Sequence, residues 1–415
     1  MPLHSWHLSE NSAAPFVKRH HQVLVIGGGP AGSAAAHTLA RHGVDVGLID
    51  KAVFPRDKLC GGLLTLRSKK VYQRIFEQPW DTIINHVSHG VKFLHQGRLL
   101  NEVVDFSELF FTRRLDFDHF LLDQAIGRGA AVYLGDAVVS LDIREKTCHL
   151  CSGEALTFDT LIGADGVNSL VAKTLFGQFF DSSRVAFALE MEVDRARHPD
   201  RVDDPEIHFG LAHWGYGWVF PKKDSLTVGI GGLHAKNPEL KKGFHGFLAA
   251  RFGSVPEGRI KGHYLPFGDY RKVPGRRNVL LCGDAAGLVD PITGEGIAFA
   301  MLSGLYAAEA IIEASARGGA DVLPLYQTRY REISRAFDHA NRLRTLLFPS
   351  ASQRLFLQVL PKSRTLPRKH LELMADKLQY GDYSRYLMIQ ALKAMAKRLV
   401  HPLNRHHQRS DSHEP

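Results

Sequence analysis

Three features of the sequence predict an α/β protein with interleaved layers. A glycine fingerprint sits between two apolar β-type runs at residues 21–51. Alternating runs rich in β-branched and aromatic residues crowd residues 181–271. The C-terminal portion is helical in pattern. Together they describe a Rossmann-like dinucleotide-binding domain interleaved with an antiparallel β-sheet domain, followed by a helical C-terminal region. The expected bounds are 20–80, 111–180 and 272–345 for the first, 81–110 and 181–271 for the second, and 346–400 for the third. Residues 1–19 and 401–415 are expected to be disordered. With 415 residues, 44% of them hydrophobic and 23% charged, the chain can bury a core of this size.

The fingerprint justifies the first domain. In "HQVLVIGGGPAGSAAAHTLARHGVDVGLIDK" a buried strand, "VLVI", runs into Gly27, Gly29 and Gly32 at the GxGxxG spacing. A small-residue helix follows, and a second buried strand ends at Asp50. Gly27 permits the tight turn, Gly29 lets a pyrophosphate approach the backbone, and Gly32 lets the helix pack on the strand. The helix N-terminus then faces the phosphates, and Asp50 can accept hydrogen bonds from a ribose. This much does not choose between FAD and NAD.

Composition excludes several classes. The excess of 52 Lys and Arg over 43 Asp and Glu is modest, and no nucleic-acid-binding motif accompanies it. The four cysteines are too few for a disulfide framework and fit a reducing compartment. Cys148 and Cys151 form a lone CxxC in a β-like run, without the second pair that zinc requires. The 23 histidines show no metal-ligand pattern, and no metal is expected. The first twenty residues lack the apolar core of a secretory signal. "GIAFAMLSGLYAA", Gly296 to Ala308, falls short of the roughly 18 apolar residues of a membrane span and reads as a buried helix.

Three later segments add to the first. "FTRRLDFDHFLLDQA" places Arg114 at a helix entry, where an arginine can pair with a diphosphate. "DTLIGADGVNSLVAK" runs from a strand through a tight turn containing Asp165. "RRNVLLCGDAAGLVDPITGEGIAFA" carries a buried strand to Asp284, then a glycine-rich loop that opens a long helix at Gly294 to Ile297. In order, "GGGPAG" with Asp50, Arg114 to Asp118, "GADG" and "GDAAG" resemble the FAD-dependent oxidoreductases of the para-hydroxybenzoate-hydroxylase type. The resemblance covers about residues 22–344. It implies FAD as cofactor, Asp284 at its ribityl or phosphate portion, and the Gly296–Ile297 backbone near its isoalloxazine. The full set of residues expected at the cofactor is Gly27, Gly29, Ala31, Gly32, Asp50, Lys51, Cys60, Gly61, Gly62, Arg114, Val138, Asp165, Asp284, Gly294, Gly296 and Ile297.

Two segments narrow the branch. "DKLCGGLL" and "YGWVFP", Tyr216 to Pro221, together resemble the geranylgeranyl reductase family, which saturates carbon–carbon double bonds of isoprenoid chains. His213 stands where the family's longer motif has proline, and no family motif follows Phe348. The resemblance implies hydride transfer from reduced flavin to a prenyl chain laid against Tyr216, Trp218 and Phe220. Cys60 is the candidate catalytic residue, and a backbone contact alone is the competing reading. No second GxGxxG follows, so the reductant is expected to be NADPH bound without its own domain, or a protein carrier. The alternatives are an FAD-dependent monooxygenase or halogenase, and a membrane-associated electron-relay flavoprotein. "YSRYLMIQALKAMAKRLV", Tyr383 to Val400, is basic and amphipathic, suited to an anionic membrane surface or to packing as a terminal helix. The expected location is the cytoplasm, with peripheral contact at the membrane face.

Overall fold

The strand that leads into the glycine fingerprint, β1 (Lys18–Ile26), lies at the centre of an eight-stranded sheet. It pairs in parallel with β2 (Val46–Asp50) on one side and with the strand Ala155–Gly163 on the other, Val25 standing opposite both Leu48 and Ile162. Val279–Leu281 and Ala131–Leu134 extend the parallel core outward. Strands of this kind are covered on both faces, which explains why "VLVI", "GLI" and "VLL" are continuous apolar runs without alternation. The structure, a computed structural model, describes residues 18–393 apart from 179, 182, 199–201 and 391. β1 therefore begins inside the segment 1–19 that was expected to be disordered. The remainder of that segment, the tail 401–415 and all of "AMAKRLV" lie outside the described residues.

Over the sheet, α1 (Pro30–Arg41) packs against the long helix Ile297–Ala316. The contact is backbone to backbone: a Cβ added at Gly304 would lie 2.1 Å from the Ala31 carbonyl oxygen. Ala34, Ala35 and Ala36 complete the close approach. The helix Ile297–Ala316 is apolar and long enough to cross a membrane, yet 83% of its most apolar window is buried in the protein. It is a core helix, as its charged brackets Glu295 and Glu309 imply.

The second sheet has seven strands, in the order Lys261–Leu265, Ala186–Asp194, Ser225–Leu233, Gly215–Pro221, Glu206–Phe209, Val91–His95 and Arg98–Val103. It departs from the expected antiparallel sheet at one pairing: Glu206–Phe209 runs parallel to Val91–His95. These two strands are joined through the whole of residues 96–205, not by a turn, so nothing forces them to oppose. The hairpin between Val91–His95 and Arg98–Val103 turns at Gln96 and Gly97, with φ of 50° and 74°. Two positive φ values in a two-residue loop match the right-handed twist of the strands. Cys148 is buried on a strand and Cys151 is exposed beyond it, both as free thiols.

Of the C-terminal helices, Val322–Leu347 packs on Ile297–Ala316, while Ser350–Val359, Thr365–Met374 and a helical run at 380–390 lie against the second sheet. Leu360, Leu366, Leu371 and Ala375 share one apolar cluster with Val91, Phe93, Trp218 and Phe220.

Gly304→Ala should destabilise the fold by about 1–3 kcal/mol, because the backbone it meets cannot withdraw cheaply. Gly243→Ala, in a helix position with nothing within 4 Å, should instead stabilise by up to about 1 kcal/mol. Denaturant unfolding of the two variants checks the pair of opposite signs.

Candidate functional site

The turn after β1 is held by contacts that only glycine allows. Gly27 has φ +107°, and a Cβ there would lie 2.2 Å from the Ala164 carbonyl oxygen. Gly32 would place one 1.8 Å from the Gly27 carbonyl oxygen, so α1 sits directly on the turn. Gly29 caps α1, and Pro30 starts it. Asp50, at the end of β2, accepts from Gly28 N and Ala52 N, each at 2.8 Å. One lone pair on each oxygen is thus used in bracing the loop, and the others face the cavity.

Arg56 lies over this cradle. Its Nη2 is 3.1 Å from Asp118 Oδ2 and its Nε 3.9 Å from Asp50 Oδ2, while Nη1 is buried without a partner. A Cβ at Gly29 would come within 3.5 Å of Nη2. An orphaned guanidinium nitrogen beside a helix N-terminus fits a diphosphate. Arg114, by contrast, spends its fork on Asp118 in two bonds of 2.6 Å. Burial works against its charge, but Asp118 prevails and raises its pKa. Arg114 lines the cavity, and the spare donor at the glycine turn belongs to Arg56. Asp165 also lines the cavity, while its carboxylate accepts at 2.5 Å from the Oγ of Ser169, the residue that caps the next helix.

The loop Leu59–Gly62 rests on the second sheet. A Cβ at Gly61 would lie 2.7 Å from the Phe220 ring, and one at Gly62, φ +74°, 2.1 Å from the Thr112 carbonyl oxygen. Cys60, half-buried, donates its backbone N–H to Glu190 Oε1 at 3.1 Å. Glu190 Oε2 is buried and unpartnered. Burial pushes this carboxyl up to about 7, against the pull of Lys222. Glu190 lies on the face of its strand that carries the cavity-lining Ala186 and Ala188. Lys58 Nζ donates to His263 Nε2 at 2.5 Å. Burial lowers both, His263 to about 4, so the imidazole is neutral and accepts. Glu190 and His263 stood outside the expected set, while Arg56 and Lys58 are the basic cluster that "FPRDK" places near an anionic cofactor. An acid at an inward position of "AFALEMEV" was the readable signal for Glu190.

Tyr216, Trp218 and Phe220 stand on one face of their strand. Trp218 lies flat over Gly229, where a Cβ would meet its ring at 2.2 Å. Tyr216 donates to the Thr293 carbonyl oxygen at 2.6 Å and so braces the loop that leads through Gly294, φ +76°, to Gly296 and Ile297. The same loop is held from the other side. Asp290 accepts from Tyr380 at 2.6 Å, and Glu295 accepts from Arg67 and Thr65 at 2.7 Å each.

These elements enclose one cavity of about 790 Å³. Every expected residue lines it except Gly32, whose work is packing: Ala31, Lys51, Val138 and Asp284 on the fingerprint side, the aromatic trio on the other. The cavity has a polar lobe along the fingerprint and an apolar lobe between the second sheet and the C-terminal helices. Among the described residues no cluster of three or more His, Cys, Asp or Glu side chains could hold a metal ion.

Residues 21–196 match the family model of pyridine nucleotide-disulphide oxidoreductases. The chain is 32% identical over 326 residues to the chloroplastic geranylgeranyl diphosphate reductase of Oryza sativa subsp. japonica, covering 72% of this chain and 68% of the relative. It is 32% identical over 348 residues to the menaquinone reductase of Mycolicibacterium smegmatis, covering 78% and 84%. In structure it superposes on a geranylgeranyl bacteriochlorophyll reductase-like protein of Thermoplasma acidophilum with TM-score 0.67 and 23% identity, over 88% and 93% of the two chains. The same fold carries the flavin-dependent brominase Bmp2, with TM-score 0.68, 19% identity and coverage of 90% and 100%.

Two outcomes follow from this geometry. Arg56→Met should weaken FAD binding to the apoprotein about tenfold to a hundredfold, as read by flavin fluorescence titration. Glu190 should also make stability fall as pH rises. The unfolded chain releases this proton near 4.5 and the folded protein near about 7, so within that window the unfolded state binds fewer protons. The full penalty is present above it. Glu190→Gln keeps the bond from Cys60 N–H and should be more stable than the parent by about 1–3 kcal/mol at pH 8, a difference that shrinks toward pH 4.5. Denaturant titrations at the two pH values check this, and an advantage constant with pH contradicts it.

Proposed function

The chain belongs to the geranylgeranyl reductase family of FAD-dependent oxidoreductases, and we propose that it saturates carbon–carbon double bonds of a geranylgeranyl or other polyprenyl chain. At the coarser level it is a flavin-dependent oxidoreductase acting on a hydrophobic substrate. The observation that carries the finer reading is the junction of the two lobes. There the loop Cys60–Gly62 and the wall of Tyr216, Trp218 and Phe220 meet the opening of the helix Ile297–Ala316.

Bound FAD, once reduced, would supply the hydride. The protein's own task is to hold an unpolarised alkene beside it and to keep water away. The residues proposed to hold FAD are those of the glycine turn, Asp50, Lys51, Arg56, Val138, Asp165, Asp284 and the Gly294–Ile297 loop. The apolar lobe binds chain by burial, worth about 0.8 kcal/mol per CH₂, so each isoprene unit contributes roughly 3 kcal/mol or more. Cys60 is proposed as the proton donor on its position at the junction. NADPH or a protein carrier is the proposed reductant, since "VGIGGLH" lacks the last glycine of a second fingerprint.

A peripheral place on the cytoplasmic membrane face is part of this reading. Met388, Ile389 and Leu392 expose half or more of their surface beside Arg385 and Lys393. Residues 349–393 carry eight Lys and Arg against three Asp and Glu, more than half of the chain's net charge of +9. An apolar face ringed by cations suits anionic lipid.

Anaerobic incubation of the reduced protein with prenyl compounds should add two hydrogens per saturated bond, read by mass spectrometry. No gain with any prenyl compound would overturn the proposal. Substrate-stimulated consumption of oxygen would point to a monooxygenase or halogenase, and reoxidation by quinones alone to an electron relay. Cys60→Ser should keep flavin yet lose at least tenfold in saturation rate. Unchanged turnover would leave Cys60 as a contact only.

A further inference from the structure

The cavity divides its charges unevenly. The Lys and Arg side chains on its wall, Lys51, Arg56, Lys58 and Arg114, all stand in the polar lobe. Among the described residues that line the apolar lobe there is no Lys or Arg. Its far wall, built by the C-terminal helices, offers Gln353, His370 and Tyr383 as its polar side chains. His370 Nδ1 is 3.2 Å from the Tyr383 hydroxyl, and the rings pack at 6.0 Å. Nε2 has no hydrogen-bond partner among the described residues. His370 is partly exposed and lines the cavity.

Resting on the prenyl reading above, we propose that the apolar lobe takes a prenyl lipid with an uncharged, oxygen-bearing head, whose carbonyl or hydroxyl bonds to His370 Nε2. Burial pushes the imidazole down to about 4, so it is neutral. Burial likewise raises the Tyr383 hydroxyl, which stays protonated. When Tyr383 donates to Nδ1, the ring proton sits on Nε2 and points at a carbonyl or hydroxyl oxygen. A diphosphate in the same place would bring two or more charges into a lobe that offers no cation, and a charge buried without a partner is strongly disfavoured. A pocket wall that hydrogen-bonds a neutral oxygen also rejects a chain that lacks one, because the imidazole is then left unpaired.

The test is equilibrium binding to the FAD-loaded full chain, followed by tryptophan fluorescence. The probes are geranylgeraniol, a geranylgeranyl-substituted naphthoquinone, geranylgeranyl diphosphate and an oxygen-free C20 prenyl hydrocarbon. The two neutral oxygenated probes should bind at least tenfold more tightly than the diphosphate. His370→Leu should weaken those two about tenfold and leave the hydrocarbon bound as tightly or more tightly, and His370→Gln should restore most of the loss. Equal or tighter binding of the diphosphate overturns the proposal, as does a His370→Leu loss shared by the hydrocarbon. Binding is read without turnover, so the two readings fail separately. The predicted order of affinities without saturation of any probe sinks the reductase alone, and saturation with the diphosphate bound most tightly sinks the head assignment alone.

Discussion

The two lobes form one cavity because a short glycine loop seats on the Phe220 ring of the second sheet and on the Thr112 backbone, with no side chain of its own in the way. Gly61 faces the Phe220 ring and Gly62 the Thr112 carbonyl, each closer than a Cβ would permit. This contact joins a segment of the nucleotide domain to the second sheet. A methyl group at either position would lift the loop by an ångström or more, and the apolar wall would no longer meet the cofactor side. Cys60, Lys58 and Arg56 take their positions from the same seating. Their hydrogen bonds and ion pairs run to Glu190, His263 and Asp118, on elements far away in sequence. Close backbone packing, rather than any one polar contact, sets the geometry of the junction.

A second constraint closes the far side. Asp290 and Glu295 are buried carboxylates within six residues of each other, flanking Gly294. Each is satisfied: Asp290 by two backbone N–H groups and Tyr380, Glu295 by Arg67, Thr65 and Ser68. Arg67 reaches on to the Leu373 carbonyl at 3.0 Å. The loop at Gly294 and the C-terminal helices are thereby ordered together. Such a network gains little net stability, because desolvation offsets the attraction, but it leaves few alternative arrangements for the loop. The helices that wall the apolar lobe are fixed to the loop that the lobe must serve.

What the sequence revealed and what it hid follow from range. The fingerprint, the I′ hairpin at Gln96–Gly97 and the aromatic strand are local patterns, in which spacing alone dictates geometry. The apolar run at Gly296 to Ala308 was legible as a core helix because charges bracket it. Glu190 was visible as an inward acid, but its partner is 130 residues away and no spacing predicts that meeting. Arg114 and Arg56 show the same limit. Arg114 stands at a helix entry and Arg56 in a loop, and only the structure shows that Asp118 engages the fork of the first and leaves a nitrogen of the second unpaired. The parallel pairing of Glu206–Phe209 with Val91–His95 was hidden because the chain between them is a domain.

The division of labour has a consequence for specificity. The fingerprint side depends on backbone at positions such as Gly27, Gly32 and Gly62, where no substituent fits. Such a site changes only at the expense of the fold. The apolar lobe is built from side chains, and its far wall comes from a C-terminal region without recognisable motifs. There one isosteric exchange alters length or polarity at a cost of about 1–2 kcal/mol. Relatives named for a diphosphate and for a quinone are each 32% identical to this chain, which fits one reductive core facing different heads. On the proposed assignment of the head to His370, the choice of head lies in the motif-free segment: a neutral imidazole there suits an oxygen, and a cation in its place would suit a phosphate.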